Sequence, residues 1–266
     1  MNDRDFILLR DLIAKQTGLH YPDHRRDVME DRLAPLLEQR GLKNFLDYYY
    51  FLRYEPEAGE EWLQVHSVLA VSETYFWREF DHFSAVNQEL LPSMFARNHG
   101  RRVRIWHAGC ASGEEPYTHA MHLIRNGRID QVELFASDAD VLALGRARRA
   151  QYGPRAFRSL PLEVQQRFFT PVHGPPPFAP LKGGLDARNF ELSATVRDRV
   201  SFSRVNLADP VAMASLANSF DIIFCRNVFI YFNHEMQERV AHDLWRALRP
   251  GGHVFVGLTA LVSWAW

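Results

Sequence analysis

The pattern of apolar and polar positions divides the chain into two parts with different periodicities. Up to about residue 70, apolar residues recur at spacings of three and four, as in Phe6, Leu9 and Ile13, and this predicts short amphipathic helices. Beyond about residue 100, short apolar runs alternate with helical segments, which predicts a parallel sheet covered by helices. We therefore expect a helical N-terminal domain over residues 1–70 and an α/β domain over residues 99–266.

An aromatic segment over residues 71–98 connects the two predicted domains. It contains three consecutive aromatic residues, Tyr75 to Trp77, and continues into an amphipathic helix. Because it has few of the polar residues of a flexible linker, we expect the domains to be fixed relative to each other. Within the α/β domain, residues 170–202 carry three consecutive prolines and short strand-like runs. This stretch predicts a small β insertion, with a disordered loop as the alternative.

The strongest local signal is the run Ile105–Tyr117, in which an apolar strand leads into a turn bracketed by Gly109 and Gly113 and then into a helix. Strand, glycine turn and helix open a nucleotide-binding α/β unit. Here Glu114 and Glu115 follow the turn, where a phosphate binder exposes bare N–H groups. A pyrophosphate would be repelled, whereas S-adenosylmethionine carries positive charge and would be attracted. The alternative is that both glutamates only complement the helix dipole.

Polar residues follow the predicted strands at the edge where ligands bind in open α/β sheets. Asp138 ends the second strand, 25 residues past Gly113 (138 − 113), which suits an acid that accepts bonds from ribose hydroxyls. Asp140 is better explained as the cap of the next helix. Three further polar residues follow later strands and are expected at the same crevice: Asn206, Asn227 and Tyr231.

Composition narrows the functional classes. The 266 residues are 47% hydrophobic with a net charge of −1, so the chain can form a large core and has no overall basic footprint for nucleic acid. The two cysteines, Cys110 and Cys225, are expected to be free thiols in a reducing compartment. Without a signal peptide or a long apolar run, we expect a cytoplasmic protein that does not insert into membranes. His119 and His122 share a helix face but lack a third ligand, so no metal site is predicted.

Several motifs together resemble the CheR-type chemotaxis receptor methyltransferases, which use S-adenosylmethionine to methylate glutamate side chains of receptors. The motifs that carry the resemblance are Thr74–Phe83, Ala108–Tyr117, Ala136–Asp140, Val205–Leu207 and Phe220–Phe232. The similarity covers nearly the whole chain. It implies an α/β fold, with a class I (Rossmann-like) methyltransferase sheet, an all-helical N-terminal domain and a small β-subdomain.

The resemblance also implies which residues bind the cofactor and act in the reaction. Cofactor contacts fall at nine matched positions: Ser72, Thr74, Arg78, Glu115, Asp138, Asn206, Leu207, Asn227 and Val228. Ser72 stands where the family usually has an asparagine. The positions of Arg78 and Tyr231 are those used around the reacting methyl group, which implies catalytic roles. The product of the cofactor would be S-adenosylhomocysteine.

The implied partner is the cytoplasmic domain of methyl-accepting receptors. Arg25, Arg26 and Arg32 match the family's receptor-facing surface, although interleaved acidic residues would by themselves favour a solvated face. In some family members the β-subdomain docks a peptide at the receptor's C-terminus. The proline-rich stretch within 170–202 departs from the usual form of that subdomain.

Two other functions stay open. A nucleic-acid methyltransferase often carries Asn/Asp-Pro-Pro-aromatic after the fourth strand, whereas Asn227 to Ile230 contains no proline. A non-catalytic module that binds cofactor or receptor would accommodate the altered Ser72 and the departure from the family at Gly257–Ala260. With the chain ending at Trp266, we expect an incomplete final hairpin, so either the chain is a fragment or a partner closes the edge.

Overall fold

Four helices form the N-terminal part of the protein. The computed structural model describes residues 1–71, 73–98, 100–172 and 189–257. The helices are α1 (Asp3–Thr17), α2 (Arg26–Gln39), α3 (Phe45–Tyr54) and α4 (Ala58–Leu69). Their apolar faces share one core, in which Phe6, Leu9 and Ile13 are almost completely buried. The predicted apolar periodicity therefore corresponds to the buried face of α1.

The helix ends follow local capping chemistry. Asn44 begins α3 by accepting a hydrogen bond from the backbone N–H of Asp47 at 2.9 Å. Gly18 ends α1 in the left-handed conformation, with φ of 83°. Asparagine and glycine are residue types that favour these two positions.

The connecting segment begins with an irregular loop and continues as one helical rod. Trp77 and Glu79 both have positive φ, 67° and 47°, which is rare for residues with side chains. The rod consists of α5 (Asp81–Ala85), a π-helical turn (Val86–Leu90) and α6 (Leu91–Arg97). Phe76 anchors the loop, since its buried ring lies 4.8 Å from the ring of Tyr152.

Within the described residues, five parallel strands form the central sheet in the order β6-β2-β1-β7-β8. Their bounds are β1 (Val103–Ala108), β2 (Val132–Asp138), β6 (Val200–Arg204), β7 (Phe220–Cys225) and β8 (Leu248–Val256). From β1, the chain proceeds outward through β2 and β6 on one side, and β7 and β8 lie on the other. The order thus reverses between β1 and β7, and ligands bind at such a switch point beyond the carboxyl ends of the strands.

Helices cover both faces of this sheet. They are α7 (Glu114–Arg125), α8 (Val141–Arg149), α11 (Pro210–Ala214) and α12 (His234–Ala247). Strand β1 shows the two-sided burial of a parallel sheet. Its Val103 and Ile105 lie in one apolar core, and Trp106 and Ala108 lie in the other.

A second, antiparallel sheet has the order β3-β5-β4. It comprises β3 (Gln151–Tyr152), β4 (Phe169–Val172) and β5 (Asn189–Leu192), with the short helices α9 (Leu162–Phe168) and α10 (Ala194–Arg197) beside it. These bounds differ from the expected insertion at 170–202. The small sheet already begins at β3, because Tyr152 pairs with Phe190, and residues 200–202 belong instead to β6 of the large sheet. The proline run falls in 173–188, outside the described residues.

The remaining expectations from the sequence concern the end of the chain, membrane spans, metal binding and the two cysteines. The expected incomplete final hairpin falls on residues 258–266, which lie outside the described residues. Across the described ranges, no helix is long and apolar enough to cross a membrane. The same ranges contain no cluster of three or more side chains that could hold a metal ion. Cys110 and Cys225 are free, as predicted, and both are buried.

Candidate functional site

A crevice opens where the strand order reverses, at the carboxyl ends of β1, β2 and β7. Its open space, including solvent at the mouth, is about 990 Å³. Nine of the ten predicted site residues line it: Thr74, Arg78, Glu115, Asp138, Asn206, Leu207, Asn227, Val228 and Tyr231. The tenth, Ser72, lies outside the described residues.

The glycine turn after β1 brings two strand ends into close contact. Gly109 has φ of 74°, and a Cβ atom added there would lie 2.4 Å from Cγ2 of Val228. Gly113 has φ of 93°, and its added Cβ would lie 3.0 Å from Cβ of Ala147. Both positions therefore need glycine for conformation and for space.

Asp138 is held at the end of β2 by backbone N–H groups. One oxygen accepts a hydrogen bond from Ala111 N at 2.8 Å, and the other accepts from Asp140 N at 2.9 Å. Burial raises the pKa of Asp138, although these hydrogen bonds oppose the rise. Asp140 caps α8 by accepting from Leu142 N at 2.9 Å, so its prediction as a cap is confirmed.

Only one of the two glutamates after the glycine turn faces the crevice. Glu115 lines it, whereas Glu114 is buried below the turn and accepts a hydrogen bond from the Ser112 hydroxyl at 2.8 Å. Burial raises the pKa of Glu114 to about 7. The expectation that both acids meet the ligand is therefore corrected, because the first turn of α7 directs them to different surroundings.

The Glu115 carboxylate is bound on both oxygens. Nδ1 of His107 lies 2.8 Å from Oε1, and Nε of Arg226 lies 3.2 Å from Oε2. Burial raises the pKa of Glu115, but the charge of Arg226 and the hydrogen bond from His107 outweigh this, and the pKa is lower than usual. Glu115 is therefore ionised at neutral pH and places a negative charge at the crevice.

Arg226 is a site residue that the sequence interpretation missed. Its side chain is only 1% exposed. Its guanidinium donates to the backbone oxygens of Arg78 at 2.6 Å and Glu79 at 3.2 Å, and it lies 5.0 Å from the ring centroid of Phe83. The motif that contains Arg226 was visible in the sequence, but an arginine after a strand usually indicates a surface residue.

Arg78 lies in the loop between the domains, and Tyr231, in a turn after β7, contacts the segment that leads into this loop. Arg78 donates to the backbone oxygen of Glu73 at 2.7 Å, and its guanidinium lies 5.7 Å from the ring centroid of Tyr75. The Tyr231 hydroxyl donates to the backbone oxygen of Val71 at 3.0 Å. Burial raises the pKa of Tyr231, so its hydroxyl stays protonated at neutral pH.

The helical domain closes one side of the crevice. It contributes four lining residues that the sequence interpretation did not identify: Thr17, Leu19, His66 and Ala70. The side chain of Asn206 donates to the backbone oxygen of Gln16 at 3.0 Å. The backbone N–H of His20 donates to the oxygen of Tyr231 at 2.8 Å. Asn206, expected at the cofactor, therefore also joins the two domains.

The three basic residues of the expected receptor surface have different environments. Arg25 is exposed. Arg26 forms an ion pair with Asp3 at 2.5 Å. Arg32 donates to the backbone oxygen of Leu69 at 2.9 Å, and so binds the C-terminal end of α4.

Two protein-family models match the chain. A family model described as the all-alpha domain of CheR methyltransferases matches residues 4–66. A second, described as the SAM-binding domain of CheR methyltransferases, matches residues 72–263, which include the crevice residues of the α/β domain. The chain belongs to the CheR methyltransferase family. S-adenosylmethionine is therefore its cofactor.

Individual CheR relatives match along most of their length. Chemotaxis protein methyltransferase 2 of Vibrio cholerae serotype O1 is 30% identical over 267 residues, which cover 99% of this chain and 87% of the relative. The chemotaxis protein methyltransferase of Klebsiella aerogenes is 32% identical over 259 residues, which cover 97% of this chain and 83% of the relative. The predicted family and α/β fold class are confirmed.

The residues of the crevice fit a cationic cofactor that contains a ribose. The ionised Glu115 places a negative charge in the crevice, which suits a ligand with sulfonium and ammonium groups. Each carboxylate oxygen has more than one lone pair, so Asp138 can accept further hydrogen bonds beyond its two backbone donors. Gly109 presents no side chain on this surface.

Proposed function

We propose that this protein methylates glutamate side chains of methyl-accepting chemotaxis receptors, or of receptors like them. The observation that carries the proposal is a single crevice containing an ionised Glu115 for a cationic cofactor and the partly exposed guanidinium of Arg78 for an anionic substrate. The names of the relatives support a role in chemotaxis. Bound S-adenosylmethionine supplies an electrophilic methyl group.

The cofactor is held by side chains from several strand ends. Asp138 accepts hydrogen bonds from the ribose hydroxyls, and Glu115 faces the positive charge of the methionine part. The remaining cofactor contacts in this proposal come from Ser72, Thr74, Arg78, Asn206, Leu207, Asn227 and Val228. Because these residues come from the linker and both halves of the sheet, cofactor binding requires the folded arrangement of both.

The substrate carboxylate needs no general base. A free glutamate side chain has a pKa of about 4.3, so it is already an anion at neutral pH. Arg78 orients this anion with its planar fork of N–H donors, and Tyr231 lines the path to the methyl group. The raised pKa of Tyr231 keeps its hydroxyl neutral, and the hydroxyl hydrogen is donated to the backbone oxygen of Val71. The contribution of the protein is alignment and exclusion of water.

The receptor surface in this proposal includes Arg25 and Arg26 and those strands of the small antiparallel sheet that fall largely within 170–202, β4 and β5. Burial raises the pKa of Tyr231, and the positive charge of Arg25 is one of the effects that oppose this rise, which supports a basic surface close to the crevice. Arg32 contributes to this surface by fixing the end of α4.

The test is transfer of radiolabelled methyl from S-adenosylmethionine to membranes that contain methyl-accepting receptors. We expect label in the receptor that alkali releases as volatile methanol, because a glutamyl methyl ester hydrolyses in base. A receptor whose acceptor glutamates are replaced by glutamine is the matched control and should remain unlabelled. Alkali-stable label, or cofactor binding without any transfer, would contradict the proposal.

A further inference from the structure

Two buried histidines lie in line behind the crevice carboxylate. His107 on β1 is completely buried, with Nδ1 2.8 Å from Oε1 of Glu115. Its other nitrogen, Nε2, lies 3.2 Å from Nδ1 of His119. His119 is also completely buried and follows Glu115 by four residues on α7, so both project from the same helix face. The three side chains form a continuous polar contact between α7 and β1.

The contacts determine which nitrogen of His107 carries hydrogen. An ionised carboxylate only accepts hydrogen bonds, so the His107 nitrogen that faces Glu115 must be the donor. Burial lowers the pKa of His119 well below its usual value, which makes His119 neutral. Among the described residues, Nε2 of His119 has no hydrogen-bond partner. Buried N–H groups without partners are rare, so the hydrogen of His119 belongs on Nδ1 and is donated to His107. The donors then run from His119 to His107 to Glu115.

Aromatic packing holds the two imidazoles in this arrangement. The ring of His107 stacks on Phe224, with centroids 4.9 Å apart and planes within 6° of parallel. His119 meets the edge of the same phenylalanine at 5.3 Å and lies 5.0 Å from Phe83. An apolar side chain would fill this space without the cost of burying a polar ring. The hydrogen bond to Glu115 supplies a reason for imidazole at this position.

We propose that His107 is a positioning residue, which holds the Glu115 carboxylate in its cofactor-binding orientation through Nδ1–H, and that His119 keeps the hydrogen on that nitrogen. The proposal rests on the proposed function, in which Glu115 contacts the cofactor. His107 holds one oxygen of Glu115 while Arg226 approaches the other at 3.2 Å. The carboxylate is thereby fixed before the cofactor arrives, which reduces the ordering cost of binding.

Three variants distinguish whether His107 acts as a hydrogen-bond donor to Glu115 or only fills space. His107→Leu removes the donor, whereas His107→Asn keeps an N–H close to the position of Nδ1. His122→Leu is the matched control. His122 is a buried histidine on the same face of α7 as His119. Its ring packs against the ring of Phe80 at 4.9 Å, and it does not line the crevice. The measurements are the dissociation constant of S-adenosylhomocysteine by calorimetry and the melting temperature without ligand.

We expect His107→Leu to weaken binding by about 10- to 100-fold, as is usual when a hydrogen bond to a charged group is lost. His107→Asn should bind within about threefold of the wild type, and His122→Leu should bind normally. Unchanged affinity in His107→Leu, or equal losses of affinity in His107→Leu and His107→Asn, would overturn the positioning role of His107 but not the proposed function. Failure of the wild-type protein to bind S-adenosylhomocysteine would overturn the proposed function, and this inference with it.

Nitrogen-15 NMR of the histidine rings tests the arrangement without destabilising the protein. The spectrum of the wild type, assigned by its difference from His107→Asn, should show hydrogen on Nδ1 of both His107 and His119 at neutral pH. An Nδ1 of His107 without hydrogen would overturn the inference, because Glu115 would then have no donor on that side.

Discussion

Arg226 donates a 2.6 Å hydrogen bond to the backbone carbonyl oxygen of Arg78. One arginine, buried after β7, thereby fixes the backbone of another arginine that lies at the crevice. The same guanidinium also reaches the oxygen of Glu79, whose positive φ is costly without such support. The loop that presents Arg78 is therefore held by the central sheet and does not depend only on its own residues.

We predict that Arg226→Ala lowers kcat/KM for methyl transfer by about 10- to 1,000-fold, because two buried hydrogen bonds to carbonyls and the ion pairs with Glu79 and Glu115 are lost. Arg226→Lys should recover little of this, since one ammonium cannot replace the planar fork. Steady-state kinetics provide the measurement. Arg97→Ala, at an exposed arginine on α6, is the control and should behave as the wild type. Normal kinetics in Arg226→Ala would contradict the supporting role.

Gly109→Ala should destabilise the protein by about 1–3 kcal/mol, because the new methyl group meets Val228 at 2.4 Å and the positive φ disfavours a side chain. Thermal or denaturant unfolding measures the change in free energy. Gly59→Ala is the matched control, since nothing lies within 4 Å of its added Cβ in α4 and alanine favours a helix. It should be neutral or stabilising, and an equal loss in both variants would contradict the close-contact explanation.

Glu114 should make the folded state less stable as pH rises. Its pKa increases from 4.5 in the unfolded chain to about 7 when folded, so the stability that its protonation contributes is fully present below about pH 4.5 and is lost as the pH rises to about 7. Glu114→Gln should therefore gain up to about 3 kcal/mol over the wild type at pH 8, and the gain should disappear below about pH 4.5. Urea unfolding across this pH range tests the sign. Glu163→Gln, at an exposed position, should leave the wild-type pH profile unchanged, and a pH-independent difference for Glu114→Gln would refute the prediction.

Arg25→Glu should raise the KM for receptor by about three- to tenfold and leave the affinity for S-adenosylhomocysteine unchanged, since rim charges mainly affect association. The effect should shrink at high salt because exposed charges are screened. Arg102→Glu makes the same charge change at the start of β1, at the opposite edge of the sheet from the crevice. An equal change in KM for both variants would indicate nonspecific attraction.

Local patterns in the sequence predict most of the fold. The glycine turn, the caps at Asn44 and Asp140 and the edge residue Asp138 depend on neighbouring residues, or on the rule that ligands bind at the carboxyl ends of strands. Long-range contacts are different. The donors of Arg226 meet carbonyls about 150 residues away, and no pattern around Arg226 specifies them.

Two further features depend on packing that periodicity does not describe. Glu114 and Glu115 are adjacent and chemically identical, and only the first turn of α7 decides which one is buried away from the ligand. Likewise, Thr17 and Leu19 line the crevice because Gln16 and His20 bond to the α/β domain. The sequence shows the two domains but not the contact between them.

The most direct test of the account is mass spectrometry of receptor peptides after incubation with S-adenosylmethionine and either the wild type or Arg78→Ala. We predict that the wild type adds the mass of one methylene group at glutamate side chains. We also predict that Arg78→Ala, assayed at saturating cofactor, does so far more slowly. Methyl groups on other residue types, or normal glutamate methylation by Arg78→Ala, would contradict it.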